Sequence, residues 1–165
     1  MITVRRARTT DVRAIRALVD TYTSDRRLLS KATVTLYESV QEFWVAADEN
    51  DRVLGCGALH VMWEDLAEIR TVAVDPAHRG QKLGHKIVTE LLRTARELGV
   101  ARVFCLTFET RFFGSFGFTE IDGAPVPPAV YEQLLRSYDE GVAEFLDLER
   151  VKPNTLGNKR MLIHL

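Results

Sequence analysis

Apolar residues recur at helical spacing through Val12, Ile15, Leu18, Val19 and Tyr22, behind the polar starters Thr9, Thr10 and Asp11. This pattern predicts an amphipathic helix with one face in a core. Leu36, Val40 and Phe43 predict a second, shorter helix. Phe43 to Ala47, the turn Asp48-Glu49-Asn50-Asp51, and Val53 to Met62 read as a β-hairpin. Glu68 to Val74 is a further strand, stopped by Asp75-Pro76. From Gly84 onward, Ile87, Val88, Leu91, Leu92, Ala95 and Leu98 mark the strongest amphipathic helix, closed by Gly99. Val103 to Phe108 follows as a strand, Phe112 to Gly117 as a short helix or turn, and Phe118 to Ile121 as another strand. Ala129 to Tyr138 predicts a helix and Arg160 to Leu165 a terminal strand. Strands on both sides of one long helix predict an α/β or α+β sandwich with a mixed sheet.

Length adds little to this picture: 165 residues suit a single domain over 1–165. Composition excludes more. With 46% hydrophobic and 27% charged residues, the chain is neither disordered nor membrane-embedded. A net charge of −1 argues against general nucleic-acid binding, which needs a basic footprint. No apolar run approaches the roughly 20 residues of a membrane span. The start, Met1-Ile2-Thr3-Val4-Arg5-Arg6, has no signal-peptide core behind it, so a cytoplasmic location is expected. Cys56 and Cys105 sit in apolar strand-like runs and suit reduced core thiols. Charge is uneven along the chain. Residues 1–31 hold eight Arg or Lys against three Asp, which would serve an anionic ligand. Residues 132–150 hold six acids against two Arg and read as a solvated acidic surface.

The chemistry concentrates in Val72-Ala73-Val74-Asp75-Pro76-Ala77-His78-Arg79-Gly80-Gln81-Lys82-Leu83-Gly84-His85. A strand stops at a proline, a basic loop with glycine follows, and a helix begins. Such a loop turns backbone N–H groups inward, and the helix start adds its unpaired donors and positive dipole end. Together these make a phosphate cradle. It is not a P-loop, because the spacing of Gly80 and Gly84 is one residue short and His85 precedes Lys86. Nor is it a Rossmann fingerprint, since GxGxxG is absent.

The segment Arg79 to Gly84 resembles the signature loop of the GNAT acetyltransferase superfamily, which binds the pyrophosphate of acetyl-CoA. Arg79 and Gly84 match the outer positions, while Lys82 stands where a middle glycine is usual. The hairpin, the helices before it and Phe112-Phe113-Gly114-Ser115-Phe116-Gly117-Phe118 follow in the family's order. Glu68-Ile69-Arg70-Thr71-Val72-Ala73-Val74, Leu106 to Thr110, Phe112-Phe113 with Gly117-Phe118, Thr35 to Glu38, Gln41 to Trp44 and the tail Val151 to Asn154 with Gly157-Asn158 are similar to a narrower group. These are short, single-domain amino-acid N-acetyltransferases of actinobacterial type, related to the acetyltransferase domain of N-acetylglutamate synthases. The resemblance implies a GNAT fold: a mixed, mostly antiparallel central sheet flanked by helices. It implies transfer of acetyl from acetyl-CoA, a co-substrate, to the α-amine of L-glutamate or L-glutamine in arginine biosynthesis, with a homodimer left open. Acetylation of protein N-termini or another small amine, and an acyl-CoA sensor without turnover, are the alternatives.

Each step of such a reaction has candidate residues. An amine must lose a proton to attack, and the resemblance assigns that base role to Glu68, acting directly or through water. A Glu68–Arg70 pair on one strand face would explain the same residue without catalysis. Backbone N–H groups at Val72, Ala73 and Val74 are implied as donors to the thioester oxygen. Arg79, Gly80, Gln81, Lys82, Leu83, Gly84 and His85 are implied to hold the pyrophosphate, with Phe113 beside the cofactor. The family's tyrosine proton donor is replaced by Phe113, so Thr107 and Ser115 are the hydroxyl candidates. Ser115 equally suits a helix surface, and Thr107 a bond to its own backbone. Lys31, Arg70, Lys159 and Arg160 are candidates for the substrate's carboxylates. His60, His78, His85 and His164 show no ligand spacing, so no metal is expected.

Overall fold

A computed structural model of the chain describes residues 1–23 and 32–165. Lys31 therefore lies outside the described residues. The strands are β1 (Thr3–Arg6), β2 (Phe43–Ala47), β3 (Val53–Trp63), β4 (Leu66–Val74), β5 (Arg102–Thr107), β6 (Thr119–Glu120) and β7 (Lys159–His164). The α-helices are α1 (Val12–Thr23), α2 (Thr33–Glu38), α3 (Leu83–Leu98), α4 (Thr110–Gly114), α5 (Pro128–Leu134), α6 (Glu140–Phe145) and α7 (Lys152–Thr155). The strands form one seven-stranded sheet in the order β1-β2-β3-β4-β5-β7-β6. Pairing is antiparallel in β1–β2, β2–β3, β5–β7 and β6–β7, and parallel in β4–β5. This is the mixed, mostly antiparallel sheet with helices that the sequence predicts.

The chain groups into two compact units, Met1–His60 with Ile69–Glu97, and Val61–Glu68 with Leu98–Leu165. In the first, the apolar stripe of α1 (Val12, Ile15, Leu18, Val19) joins Leu36, Phe43, Val45 and Cys56 in a fully buried cluster. Gly57 on β3 matters to the packing of α3. A Cβ there would lie 2.8 Å from Ile87 Cγ2 and 3.1 Å from Leu91 Cδ1, so the helix closes down only on a bare backbone. The N-terminal strand is tied to α1 by a bidentate pair, with Arg5 Nη1 and Nη2 donating to Asp11 at 2.8 and 3.1 Å. Burial works against the Asp11 charge. The Arg5 bonds and the Arg8 backbone N–H at 2.7 Å outweigh it and hold the pKa below its ordinary value.

In the second unit, Leu66, Phe104 and Leu162 of neighbouring strands pack with Leu134, Val142, Phe145 and Leu146. The register sets Leu66, Ala67 and Glu68 opposite Arg102, Val103 and Phe104. It also sets Phe104, Leu106 and Thr107 opposite Leu162, Arg160 and Lys159.

Several element ends differ from the sequence pattern. The second predicted helix stops at Glu38, and a 3-10 turn over Val40–Glu42 leads into β2, because Phe43 is taken by the strand. The helix predicted to Tyr138 ends at Leu134, where its last buried apolar residue lies. The strand predicted over Phe118–Ile121 shortens to Thr119–Glu120. β1, α6 and α7 carry too little periodicity to be read from sequence. The acidic stretch is not wholly a solvated surface: α6, capped by the Asp139 carboxylate accepting from Val142 N, buries all of Gly141–Phe145, Glu144 included.

Candidate active site

The first unit holds the Arg79–Gly84 loop. Asp75 closes β4, its N–H donating to Leu54 O at 2.8 Å and its carboxylate accepting from Ala77 N at 2.9 Å. A 3-10 turn over Pro76–His78 follows, with His78 N donating back to Asp75 O. The chain then passes through two left-handed residues, Gly80 at φ 85° and Lys82 at φ 59°. Nothing lies within 4 Å of where a Cβ on Gly80 would sit, so the backbone there is open to a close-approaching ligand. Left-handed residues alternating with others turn successive N–H groups to one side, the geometry of an anion nest. α3 starts at buried Leu83, and Lys86 N makes the helix's bond to Lys82 O at 3.0 Å. The N–H groups of Leu83, Gly84 and His85 thus have no carbonyl behind them in the helix to meet. Arg79, Gly80, Gln81, Lys82 and His85 are exposed and Gly84 is half-buried. The loop fits a pyrophosphate through backbone donors plus the basic side chains of Arg79 and Lys82. The lysine in place of the usual glycine leaves the loop's left-handed turn intact.

The same unit carries a second irregularity. Thr71, buried inside β4, has φ 59°, an outlying conformation for a β-branched residue. The Tyr22 hydroxyl donates to Val74 O, and the Cys56 thiol donates to Thr71 O at 3.4 Å. Thr71 thus departs from regular strand geometry immediately before Val72, Ala73 and Val74, where the sequence resemblance puts the backbone donors. Arg70, just before it, is half-buried.

The candidate residues Glu68, Thr107 and Ser115 belong to the second unit. Glu68 is a buried carboxylate, 3% exposed, in register with Phe104. Burial, and next the charge of Glu68, push the Cys105 thiol well above its ordinary pKa. Burial likewise pushes Cys56 up to about 12, so both free thiols stay protonated and unreactive.

The two hydroxyl candidates differ in where their protons point. Thr107 Oγ1 accepts from Glu109 N at 2.8 Å, which leaves its own proton to give. Ser115 Oγ donates to Phe112 O at 2.5 Å, so its proton is already engaged on its own helix turn. Phe113 is buried in a run of edge-to-face rings, 5.1 Å from Phe112 and 5.3 Å from Phe118. Lys159 is exposed, opposite Thr107 on the neighbouring strand. Arg160 is half-buried and donates to three backbone carbonyls, those of Glu144, Phe145 and Gly123. The sequence reading missed those bonds and the buried Glu144; no local pattern marks either.

Residues 12–118 match the model of the Acetyltransferase (GNAT) family. The chain belongs to this family. It is 63% identical over 164 residues to an amino-acid acetyltransferase of Mycobacterium tuberculosis, covering 98% of this chain and 94% of that one. The solved structure of Rv2747 from M. tuberculosis, in complex with CoA and NLQ, superposes with a TM-score of 0.95 at 62% identity over 99% of both chains. N-acetylglutamate synthase from Neisseria gonorrhoeae, complexed with coenzyme A and N-acetyl-glutamate, shares the fold at a TM-score of 0.78 and 20% identity. This chain spans 35% of that protein's length. The GNAT chain is thus an acetyl-CoA-dependent N-acetyltransferase, with acetyl-CoA as its co-substrate. No helix among the described residues is long and apolar enough to cross a membrane, and no group of three or more His, Cys, Asp or Glu among them is placed for a metal ion.

Proposed function

We propose that this enzyme transfers acetyl from acetyl-CoA to the α-amine of L-glutamate or its close analogue L-glutamine, as an early step of arginine biosynthesis in the cytoplasm. The observation that carries the reading is the near-full-length identity of 63% to the mycobacterial amino-acid acetyltransferase. The Arg79–Gly84 loop and the start of α3 hold the pyrophosphate. Glu68 takes the proton of the attacking amine, directly or through a water, and its burial removes the competing solvent. The backbone N–H groups of Val72, Ala73 and Val74 stabilise the charge that grows on the thioester oxygen as the N–C bond forms. Thr107, whose proton is uncommitted, donates a hydrogen bond to the departing thiolate as the C–S bond breaks. A thiol of pKa near 8.5 needs no strong acid to leave near neutrality, so Phe113 in place of a tyrosine is compatible with turnover. Lys31, Arg70 and Lys159 are the cations for the amino acid's carboxylates.

The test is CoA release from acetyl-CoA across free amino acids, polyamines and short peptides, at low salt near pH 8. Turnover fastest with L-glutamate or L-glutamine is expected. Turnover only with peptides or polyamines would discard the amino-acid reading and keep the acetyltransferase. CoA binding without product from any amine would make the chain a sensor.

A further inference from the structure

The sequence marks Arg160 as a substrate cation, and its geometry gives it another task. Its side chain leaves β7 on the face shared with Leu162, and its guanidinium stands over the Phe104 ring with Cζ 5.9 Å from the centroid. Nε donates to Glu144 O at 2.9 Å, and Nη2 donates to Gly123 O at 2.8 Å and to Phe145 O. Glu144 and Phe145 are the last residues of α6, whose carbonyls have no N–H ahead of them in the helix. α6 is too short and too buried to leave those oxygens to water. The chain turns back there through left-handed Asp147, with Asp147 N donating to Glu144 O and Leu148 N to Ala143 O. A planar fork of donors answers three carbonyls at fixed angles, which a lysine's point charge does not do. Burial pulls the Arg160 pKa below its ordinary value, while Asp147 and Asp122 act against that fall.

What the fork holds bears on the base. Phe104 sits edge-to-face on Phe145 at 5.3 Å, and Phe104 is the register partner of Glu68. By strand alternation Glu68 lies on the same face as Leu66, and Leu66 packs in one cluster with Val142, Phe145 and Leu146 of the α6 region. We infer that Arg160 is a positioning residue: it clamps the C-terminal end of α6 and the Gly123 loop to β7, and through Phe104 fixes the strand position of Glu68, rather than binding substrate. The inference rests on the acetyltransfer reading above for Glu68, though not on which amine is the substrate.

The experiment compares R160M and R160K with wild type, using whichever amine the wild type turns over fastest, well below each variant's Tm. For R160M, kcat is expected to fall roughly 10–100-fold, the cost of a misplacement of about an ångström. KM for acetyl-CoA and for the amine should each move less than about threefold, and R160K should not restore kcat, since lysine lacks the fork. Hydrogen exchange should quicken at the amides of Leu146, Asp147 and Leu148, with α3 unchanged. A kcat unchanged in the folded variants would reduce the clamp to stability alone and overturn the positioning role. A tenfold or larger rise in amine KM at constant kcat, rescued by R160K and confined to acidic amino acids, would return Arg160 to substrate binding. If R160M does not fold, R160K alone decides between the same outcomes. A wild type that prefers another amine discards the glutamate reading and leaves the Arg160 comparison standing.

Discussion

In the unit that carries the Arg79–Gly84 loop, the groups proposed to meet ligand are largely backbone. Gly80, Lys82 and Thr71 hold left-handed conformations, and the N–H groups of Val72–Val74 and Leu83–His85 are the proposed donors. In the other unit the groups proposed to work are side chains: Glu68 and Thr107 are buried, and Arg160 is tied to main-chain oxygens. Backbone recognition stores its cost locally, as conformational strain at a few residues. Side-chain recognition spreads its cost over a polar network whose members come from distant parts of the chain. The first therefore tolerates substitution of a side chain, provided the turn survives, as Lys82 illustrates. The second does not.

Five substitutions sharpen that contrast. The largest effect is expected for E68Q, which keeps the shape and removes the base: kcat should fall roughly 10²–10⁴-fold while CoA binding, followed by calorimetry, is retained. A kcat within threefold of wild type would leave Glu68 as a strand-pairing residue. Next is D11N, which breaks a buried network in the otherwise backbone-driven unit and should cost about 1.5–3 kcal/mol in denaturant unfolding. Because the Asp11 pKa is depressed on folding, its contribution is fully present above the unfolded-state value. It is lost as pH falls from there through the folded-state value. Between neutrality and about pH 3, the Tm of wild type should thus drop more than that of D11N; parallel curves would deny the pair its role.

Smaller again is the pair T107V and S115A. Loss of the Thr107 donor should lower kcat by roughly tenfold, the worth of a hydrogen bond to a developing charge. S115A should leave kcat within about twofold and stability within about 0.5 kcal/mol, its hydroxyl being engaged on Phe112 O. The reverse ranking would identify Ser115 as the donor. The mildest change is K82G. Releasing an exposed side chain from a left-handed backbone should stabilise by about 1 kcal/mol and raise Tm by about 2–4 °C. CoA affinity should weaken by up to about fivefold in a salt-dependent way, the worth of one exposed ion pair. A variant less stable than wild type would show that the loop is not strained at Lys82.

Legibility followed the same division. The strand, proline, basic loop and helix from Glu68 to Leu98 were readable because their signals are local: a two-residue period, Asp75-Pro76, Gly80 and Gly84, then an unbroken helical stripe. The long α1 and the hairpin were readable for the same reason. β1 was not, because a four-residue edge strand with two arginines has no period of its own and is defined by pairing with Ala47, Ala46, Val45 and Trp44. α6 was not, because six residues with three apolar positions become a helix only when Asp139 caps one end and Arg160 answers the other.

The sequence by itself marked the long helices, the hairpin and the strand–loop–helix of residues 68–98 through residues adjacent in the chain, whose torsional and periodic preferences act locally, and its motifs carried the resemblance to the family. The tertiary structure decided which polar groups have a proton or a charge to spare. Thr107 keeps its hydrogen, Ser115 does not, and Arg160 is engaged by carbonyls 15 to 37 positions away. A hydrogen bond depends on distance and angle in space, and nothing in a one-dimensional pattern encodes which partner arrives first.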